Sequence, residues 1–405
     1  MREMKDSGID IVGEIPKSWK LERLRYLCDI TTGNQDTQDA DPDGEYDFYV
    51  RSPKIEKSTK YSFDGEGILM AGDGAGAGRI FHHAYGKYAV HQRVYIINNI
   101  REIDSSFLFY YISNVFPKLM DKGSAQSTVP SVRLPMLLNF TLALPDKKKQ
   151  NLISSYLDTK CSEIDATAED IQKEISLLED YKKSVIIEAV TKGLKPDAEM
   201  KDSGIEWIGE IPNDWEITKI GMLYNLRITK VSDAYYAPLS VTKMGVLPQL
   251  ETVAKTNAHD DRKLVKKGDF VINSRSDRRG SCGMSDYDGS VSLINIVLEP
   301  KNNMSSGYYS WLFKTVQFAD EFYKNGHGIV DDLWTTGWQD MKRIILPVPH
   351  YSEQKQIADY LDSKCSEIDT LIAGKKRQLD ILADYKKSII YEYVTGKKEV
   401  PVKDF

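Results

Sequence analysis

Tyr156-Leu157-Asp158, followed by Cys161-Ser162-Glu163-Ile164-Asp165, is written a second time as Tyr360-Leu361-Asp362 and Cys365-Ser366-Glu367-Ile368-Asp369. Asp180-Tyr181-Lys182-Lys183-Ser184 likewise returns as Asp384-Tyr385-Lys386-Lys387-Ser388, and the offset is 204 residues in each case. A shorter pair of copies lies upstream. Met4-Lys5-Asp6-Ser7-Gly8-Ile9 returns as Met200-Lys201-Asp202-Ser203-Gly204-Ile205, Gly13-Glu14-Ile15-Pro16 as Gly209-Glu210-Ile211-Pro212, and Trp19 as Trp215, all at an offset of 196. Self-similarity at a fixed period is the mark of a repeated architecture. Between the copies lie two blocks, roughly 20–145 and 216–346, that share little sequence. A duplicated scaffold with two different inserts places two different heads in equivalent poses.

The long repeat reads as helix. From Gln150 to Val190 there is neither proline nor glycine, and Leu157, Ile164, Ile171, Leu178 and Val185 recur every seven residues. Cys161, Ala168 and Ile175 form the companion row. Two such rows over four heptads make a coiled-coil seam rather than a merely amphipathic surface. Gly193 and Pro196 then stop the helix. The second copy keeps Leu361, Ile368, Leu382 and Ile389, with Cys365, Ile372 and Leu379, but breaks at Lys375 in Ala373-Gly374-Lys375. Gly374 is expected to weaken that turn by about 1 kcal/mol relative to alanine. A helix of about 40 residues is about 60 Å long. Two of them packed antiparallel form a rigid spacer with a globular block at each end. A coiled coil between chains is the alternative; two matching seams in one chain favour the intramolecular pair. Cys161 and Cys365 read as small hydrophobes in the seam rather than a redox or metal pair, and Cys28 and Cys282 are read the same way.

Composition sets outer bounds. The chain has 405 residues, 41% hydrophobic and 28% charged, which suits two or three domains. The four cysteines contain no CxxC pair, against a disulfide framework or zinc knuckle. No apolar run approaches the roughly 18 residues of a membrane span. MREMKDSGID lacks the apolar core of a signal peptide, so the cytoplasm is the expected compartment. Net charge is −6, unlike a uniformly basic nucleic-acid binder. From Lys17 to Pro145, however, 15 basic side chains balance 15 acidic ones, and from Ile217 to Leu346 there are 17 basic and 14 acidic. The excess acid lies elsewhere, so both blocks are free to bind a polyanion locally.

Both blocks read as α/β. Ile68–Ala71, Arg93–Ile97, Asp269–Asn273 and Leu293–Val297 are predicted strands, with helices at about 105–120 and 305–324. Each block closes on a Pro-bounded strand, Phe140–Pro145 and Arg343–Pro347. The domain boundaries expected are 1–145, 146–196, 197–348 and 349–405.

Several loops carry chemistry suited to DNA. Gly72-Asp73-Gly74-Ala75-Gly76-Ala77-Gly78-Arg79 is glycine-rich, but no Lys-Ser or Lys-Thr follows and the spacing is not GxGxxG. It reads either as a turn bringing backbone amides at Gly74 and Gly76, with Arg79, close to a DNA strand, or as a purely structural turn. Its counterpart in the second block, Asn273-Ser274-Arg275-Ser276-Asp277-Arg278-Arg279-Gly280, carries three arginines suited to phosphate and guanine. Arg51 and Ser52, His91-Gln92-Arg93, Ser124, Gln126 and Ser127, Thr242 and Lys243, and Asn325 and His327 offer further base-reading side chains. Each is also an ordinary loop residue.

Catalytic signatures are missing. The sequence has no Asn-Pro-Pro-Tyr or Asp-Pro-Pro-Tyr, no Walker A and no HExxH. A nuclease's carboxylate cluster with a lysine is not evident. The six histidines include one adjacent pair, His82-His83, read as a loop or strand end rather than a metal site. A self-contained methyltransferase or nuclease therefore has no residues to carry it, while a coiled-coil scaffold that binds only proteins remains a competing reading.

These residues resemble the specificity subunits of type I restriction-modification systems. Gly-Glu-Ile-Pro followed by Trp19 or Trp215 looks like the opening of each target-recognition domain of that family. Gln150, or Gln354-Lys355-Gln356-Ile357, leading to Tyr-Leu-Asp and Ile-Asp, looks like its helical regions. Phe48-Tyr49-Val50-Arg51-Ser52 and His91-Gln92-Arg93-Val94 also look like target-recognition domain interiors. The resemblance covers the whole chain, and the Gly374/Lys375 interruption is its one departure. It implies an α/β fold of two target-recognition domains separated by paired antiparallel coiled-coil helices. Each domain would read one half of a split asymmetric double-stranded DNA site through the major groove. No catalytic group and no cofactor would belong to this chain. Two modification subunits, carrying S-adenosylmethionine and methylating adenine, and two restriction subunits would dock, with charged faces such as Glu179-Asp180-Tyr181-Lys182-Lys183 as partner surfaces. No membrane is implied.

Overall fold

In the computed structural model residues 2–123, 130–249, 260–301, 304–328 and 334–401 are described. Two compact units result, Met1–Ile171 with Arg377–Phe405, and Gln172–Lys376. Each unit combines one variable block with half of each long helix. The division follows from the duplication, because each half-seam finds its partner within its own unit.

The central helix runs Lys147–Lys192 and the C-terminal helix Tyr351–Val394, 46 and 44 residues, somewhat longer than the periodicity predicts. In the first unit Leu157, Cys161 and Ile164 share one core with Ile389, Ile390, Tyr393 and Val394. The Tyr156 and Tyr393 rings lie 4.7 Å apart, and Lys386 Nζ is 2.6 Å from Asp165. In the second unit Val185, Ala189 and Val190 share a core with Ile357, Leu361 and Cys365, and Lys182 Nζ lies 2.7 Å from Asp369. Low numbers on one helix meet high numbers on the other, so the pairing is antiparallel. Ile171, Leu178, Leu382, Ala168 and Leu379 are half-buried, while Ile368 is buried, as a seam requires. The exposed ion pairs contribute little; the apolar seam carries the pairing.

The interruption at Gly374 does not break the helix. Lys375, at the seam position, forms an ion pair with Glu174. A Cβ added at Gly374 would meet no atom within 4 Å. Gly374→Ala is therefore expected to add about 0.5–1 kcal/mol to the unfolding free energy. Urea denaturation checks this, and a loss of stability would show that the turn needs its glycine. All four cysteines are free and buried. Burial pushes the Cys28 and Cys282 thiols up to about 12, which removes the thiolate that reactive chemistry needs.

Each head is built around a four-stranded antiparallel sheet of the same order. In the first unit it runs Asp29–Thr32, Val94–Asn98, Gly67–Ala71, Phe81–Ala84; in the second, Tyr224–Leu226, Asn295–Pro300, Phe270–Asn273, Cys282–Met284. The unbroken apolar run Gly67-Ile68-Leu69-Met70-Ala71 is buried throughout because both faces are covered. Ile68 and Met70 face the core that includes Phe107, Tyr111 and Phe116 of the helix Ser105–Gly123, while Leu69 packs with Tyr49, Tyr88 and Val90. Phe270 and Ile272 face one core of the second head and Val271 the other. The exit strands Thr141–Leu144 and Ile345–Val348 pair antiparallel with Lys20–Arg23 and Glu216–Lys219.

Two local expectations are corrected. The helix expected over about 305–324 is two helices, Ser306–Phe313 and Val316–Lys324, because Thr315 caps the second through its side chain to Phe318 N. His82 and His83 lie within the strand Phe81–Ala84 rather than at its end. The outer sheets of the two heads differ. The first has four strands and a parallel pair, Tyr46–Tyr49 with Lys87–Val90. The second has three antiparallel strands and a separate hairpin, Leu239–Thr242 with Gly245–Pro248.

Candidate nucleic-acid interface

Helix and head are joined by one device used twice. Gln150, in the first turn of the central helix, donates through Nε2 to Pro145 O at 2.9 Å and accepts through Oε1 from Asp104 N at 2.8 Å. Gln354 does the same with Pro349 O and Ser305 N, at the same two distances. Both side chains are buried, so each amide ties the exit strand to the start of the head's helix. About two turns further on, Asp158 accepts from Tyr110 Oη at 2.7 Å, and Asp362 from Trp311 Nε1 at 2.9 Å. The repeated Gln and Asp are thus the fittings that hold each head.

In the first head the structure gathers residues far apart in sequence. Asp73, from the glycine-rich turn, accepts from Arg51 Nη1 at 2.7 Å on Oδ1 and from Arg93 Nη1 at 2.9 Å on Oδ2. Partial burial pushes the Asp73 carboxyl up, but the two arginine hydrogen bonds outweigh it and hold the group below the usual carboxylate range. A Cβ at Gly76 would lie 3.1 Å from Arg51 O and collide with Ile80, so this glycine permits the loop to close on the bend at Arg51. Gly74, at φ +76°, forms the tip beside Arg51. The turn therefore has a packing role, and it also places an acid between two arginines.

The other candidates in this head divide clearly. His91 is buried; its Nδ1 accepts from Arg93 N at 3.0 Å, and burial and then the Arg51 charge push its imidazole below the ordinary range. It supports the loop from within, with Nε2 3.5 Å from Asp36 Oδ1. Gln92 donates to Asp36 at 3.0 Å, and Arg79 pairs with Asp121 at 2.7 Å. Ser52 accepts from Lys54 N at 3.0 Å. Ser124, Gln126 and Ser127 lie outside the described residues.

In the second head the counterpart turn leaves the equivalent strand. Asn273 Oδ1 accepts from Arg275 N at 3.1 Å, and Ser274 Oγ donates to Ile294 O at 2.6 Å. Arg275, Arg278 and Arg279 are exposed. Arg279 pairs with Asp320 and stacks over the Tyr323 ring, 5.4 Å from its centroid; Arg278 sits 3.4 Å from Asp277. Asn325 caps the helix Val316–Lys324 through Glu321, so its amide is committed to structure. His327, largely exposed, lies 2.9 Å from Asp340. Thr242 closes the hairpin tip by accepting from Met244 N at 3.1 Å, beside exposed Lys243.

The acids were the part missed in sequence. Asp73 stands inside the glycine-rich stretch, but its arginines are 22 and 20 residues away, and no short-range spacing signals such a partnership. Among the described residues no three His, Cys, Asp or Glu side chains cluster as a metal site would, and no described helix is long and apolar enough to cross a membrane.

Two heads of one topology, with different arginine-bearing loops, mounted on a duplicated helix pair define a two-headed DNA-recognition subunit. The chain belongs to the type I restriction modification DNA specificity domain family, whose model matches residues 16–177 and 212–380. It is similar to the type I restriction enzyme EcoDI specificity subunit of Escherichia coli, 28% identical over 174 residues, a match spanning 43% of this chain and 38% of that protein. The MjaVIII specificity subunit of Methanocaldococcus jannaschii is 24% identical across 95% of this chain and 94% of its own length. Two solved structures share the fold. A chain from a structural study of assembly and conformational transition of the type I R-M system has a TM-score of 0.68 at 13% identity, covering 95% of this chain and 99% of that one. The HsdS subunit from Thermoanaerobacter tengcongensis has a TM-score of 0.51 at 15% identity, covering 95% and 98%.

Proposed function

We propose that each head reads one half of a split, asymmetric DNA sequence through the major groove, and that the helix pair sets the gap between the halves. The carrying observation is the common four-stranded sheet of the two heads, which presents equivalent loops with different side chains. Phosphate contacts position such a head and base-edge contacts specify its sequence. In this reading the chain supplies no catalytic group and binds no cofactor. Two modification subunits carry S-adenosylmethionine and methylate adenine, and two restriction subunits complete the assembly. Leu177 and Ile381, at the 204-residue offset, are 69% and 67% exposed on the two long helices, and Tyr181 and Tyr385 are also exposed. Paired apolar side chains left in water suit protein docking and support two equivalent partner sites.

Exchanging residues 20–145 for the block of another family member tests this reading. One half-site is expected to change and the other to persist, whereas joint change of both halves contradicts modular reading. Adding one heptad to the central helix is expected to alter the gap alone. Binding of the co-expressed complex to duplex DNA is expected to fall steeply with salt. Absent or sequence-independent binding favours a protein-only scaffold, and methyl transfer by the isolated chain sinks the non-catalytic assignment.

A further inference from the structure

We propose that Asp73 is a positioning residue that fixes Arg51 and Arg93 as a forked pair for DNA reading by the first head, and that Arg275 occupies the same backbone place in the second head and contacts DNA directly. The inference rests on the DNA-reading assignment above.

The fork is a built feature. Each oxygen of the Asp73 carboxylate takes one guanidinium, at 2.7 and 2.9 Å. The main chain of Asp73 is held in turn, by a bridge to Ser131 and by Val132 N donating to Gly72 O at 2.8 Å. Two cations share one anion, so the cluster keeps a net positive charge. Each guanidinium has five N–H donors and spends one on the carboxylate. Arg51 and Arg93 remain 37% and 58% exposed. An arginine already held in place loses less rotamer freedom when it meets a guanine edge or a phosphate. Two held by one carboxylate also have a fixed separation, which flexible arginines lack.

The register makes Asp73 and Arg275 equivalent. Ala71 pairs with Val94 and Asn273 with Asn295 at the same step of the common sheet. One residue on, Gly72 O accepts from Val132 N, and Ser274 O accepts from Thr336 N. The next residue makes an isolated antiparallel bridge in both heads, Asp73 with Ser131 and Arg275 with Thr335. Opposite charges thus occupy one backbone position. Arg275 is exposed and has no acidic partner among the described residues. The second head presents its guanidinium from the turn itself; the first uses the same place for the acid that organises two guanidiniums, one from the bend after Tyr46–Tyr49 and one from the turn before Val94–Asn98.

The test selects randomised duplexes with the chain in complex with its co-expressed modification subunits, and compares the native form with Asp73→Asn and Arg275→Ala. Asp73→Asn is expected to reduce base preference in one half-site by about 10- to 100-fold and to leave the other intact. Affinity for random-sequence duplex is expected to hold or rise, because a negative charge has been removed. That opposite movement is not produced by a merely structural role. Arg275→Ala is expected to degrade the other half-site and to weaken random-duplex binding. Preference preserved in both halves by Asp73→Asn, or lost from both, overturns the proposal. If Asp73→Asn does not fold, the pair Arg51→Gln and Arg93→Gln is used, and retention of the half-site then overturns it. Failure of the native complex to select any split motif removes the DNA-reading assignment itself, a separate result.

Discussion

Trp215→Ala is expected to destabilise the second unit by about 3–5 kcal/mol, the cost of emptying a closed aromatic site. Trp215 is fully buried and joins three segments that are remote in sequence. It follows the hairpin formed by Met200–Asp202 and Glu210–Pro212, meets the Tyr308 ring edge-on at 6.4 Å, and donates from Nε1 to Glu353 Oε2 at 3.1 Å. The end of the central helix closes on the same ring, since a Cβ at Gly193 would stand 3.2 Å from Trp215 Cζ2. A unit of about 200 residues loses roughly 2–4 °C of melting temperature per kcal/mol. A fall on the order of 10 °C is therefore expected by calorimetry. Hydrogen exchange should place the lost protection around residues 200–220 and 305–315. A cost below about 1 kcal/mol would mean that the site collapses around the gap and that the repeated tryptophan is not a structural joint.

Arg227→Ala is expected to cost a similar 3–5 kcal/mol for a different reason. Asp269 is 2% exposed and takes both Arg227 Nε and Nη2, at 2.7 and 2.9 Å, while Arg227 also reaches Glu299 at 3.0 Å. Removing the arginine strands a buried carboxylate without its counter-charge. Removing both partners relieves that penalty, so Arg227→Ala with Asp269→Ala is expected to be more stable than Arg227→Ala alone. The pair spans the strand ends Leu226 and Phe270, and the second of these strands leads into Ser274 and Arg275. Loss of recognition is accordingly expected in the second head's half-site only. If the double substitution is the worse of the two, the pair is not acting as a buried ion pair.

The architecture was legible where its signal is local or periodic. Leu157, Ile164 and Leu361 announce the seam because a heptad is contained within one helix, and Gly193 ends the central helix where the sequence places its stop. The 204-residue offset proved mechanical as well as statistical: the repeated Gln150 and Gln354 make the same two hydrogen bonds in both copies. The loop pairing of the two blocks, read from position alone, corresponds to equivalent strands in the common sheet. What was illegible depends on register between distant strands. The parallel pair of Tyr46–Tyr49 with Lys87–Val90, the Arg51–Asp73–Arg93 fork and the burial of His91 all arise from strand neighbours that composition does not specify. Thr315 splits the predicted helix by a cap that a hydrophobic pattern reads straight through. The sequence therefore offers arginines alongside glycine, histidine and small polar loop residues, and the acids paired with Arg51, Arg93 and Arg279 are set by the fold.

Sequencing of methylated bases in a genome that carries this chain bears on the proposed two-headed account as a whole. The expected result is two dissimilar short half-sites separated by unspecified bases at one fixed spacing. A contiguous motif, two identical half-sites, or a gap that varies from site to site contradicts the proposal of two different heads with a spacing set by the helix pair.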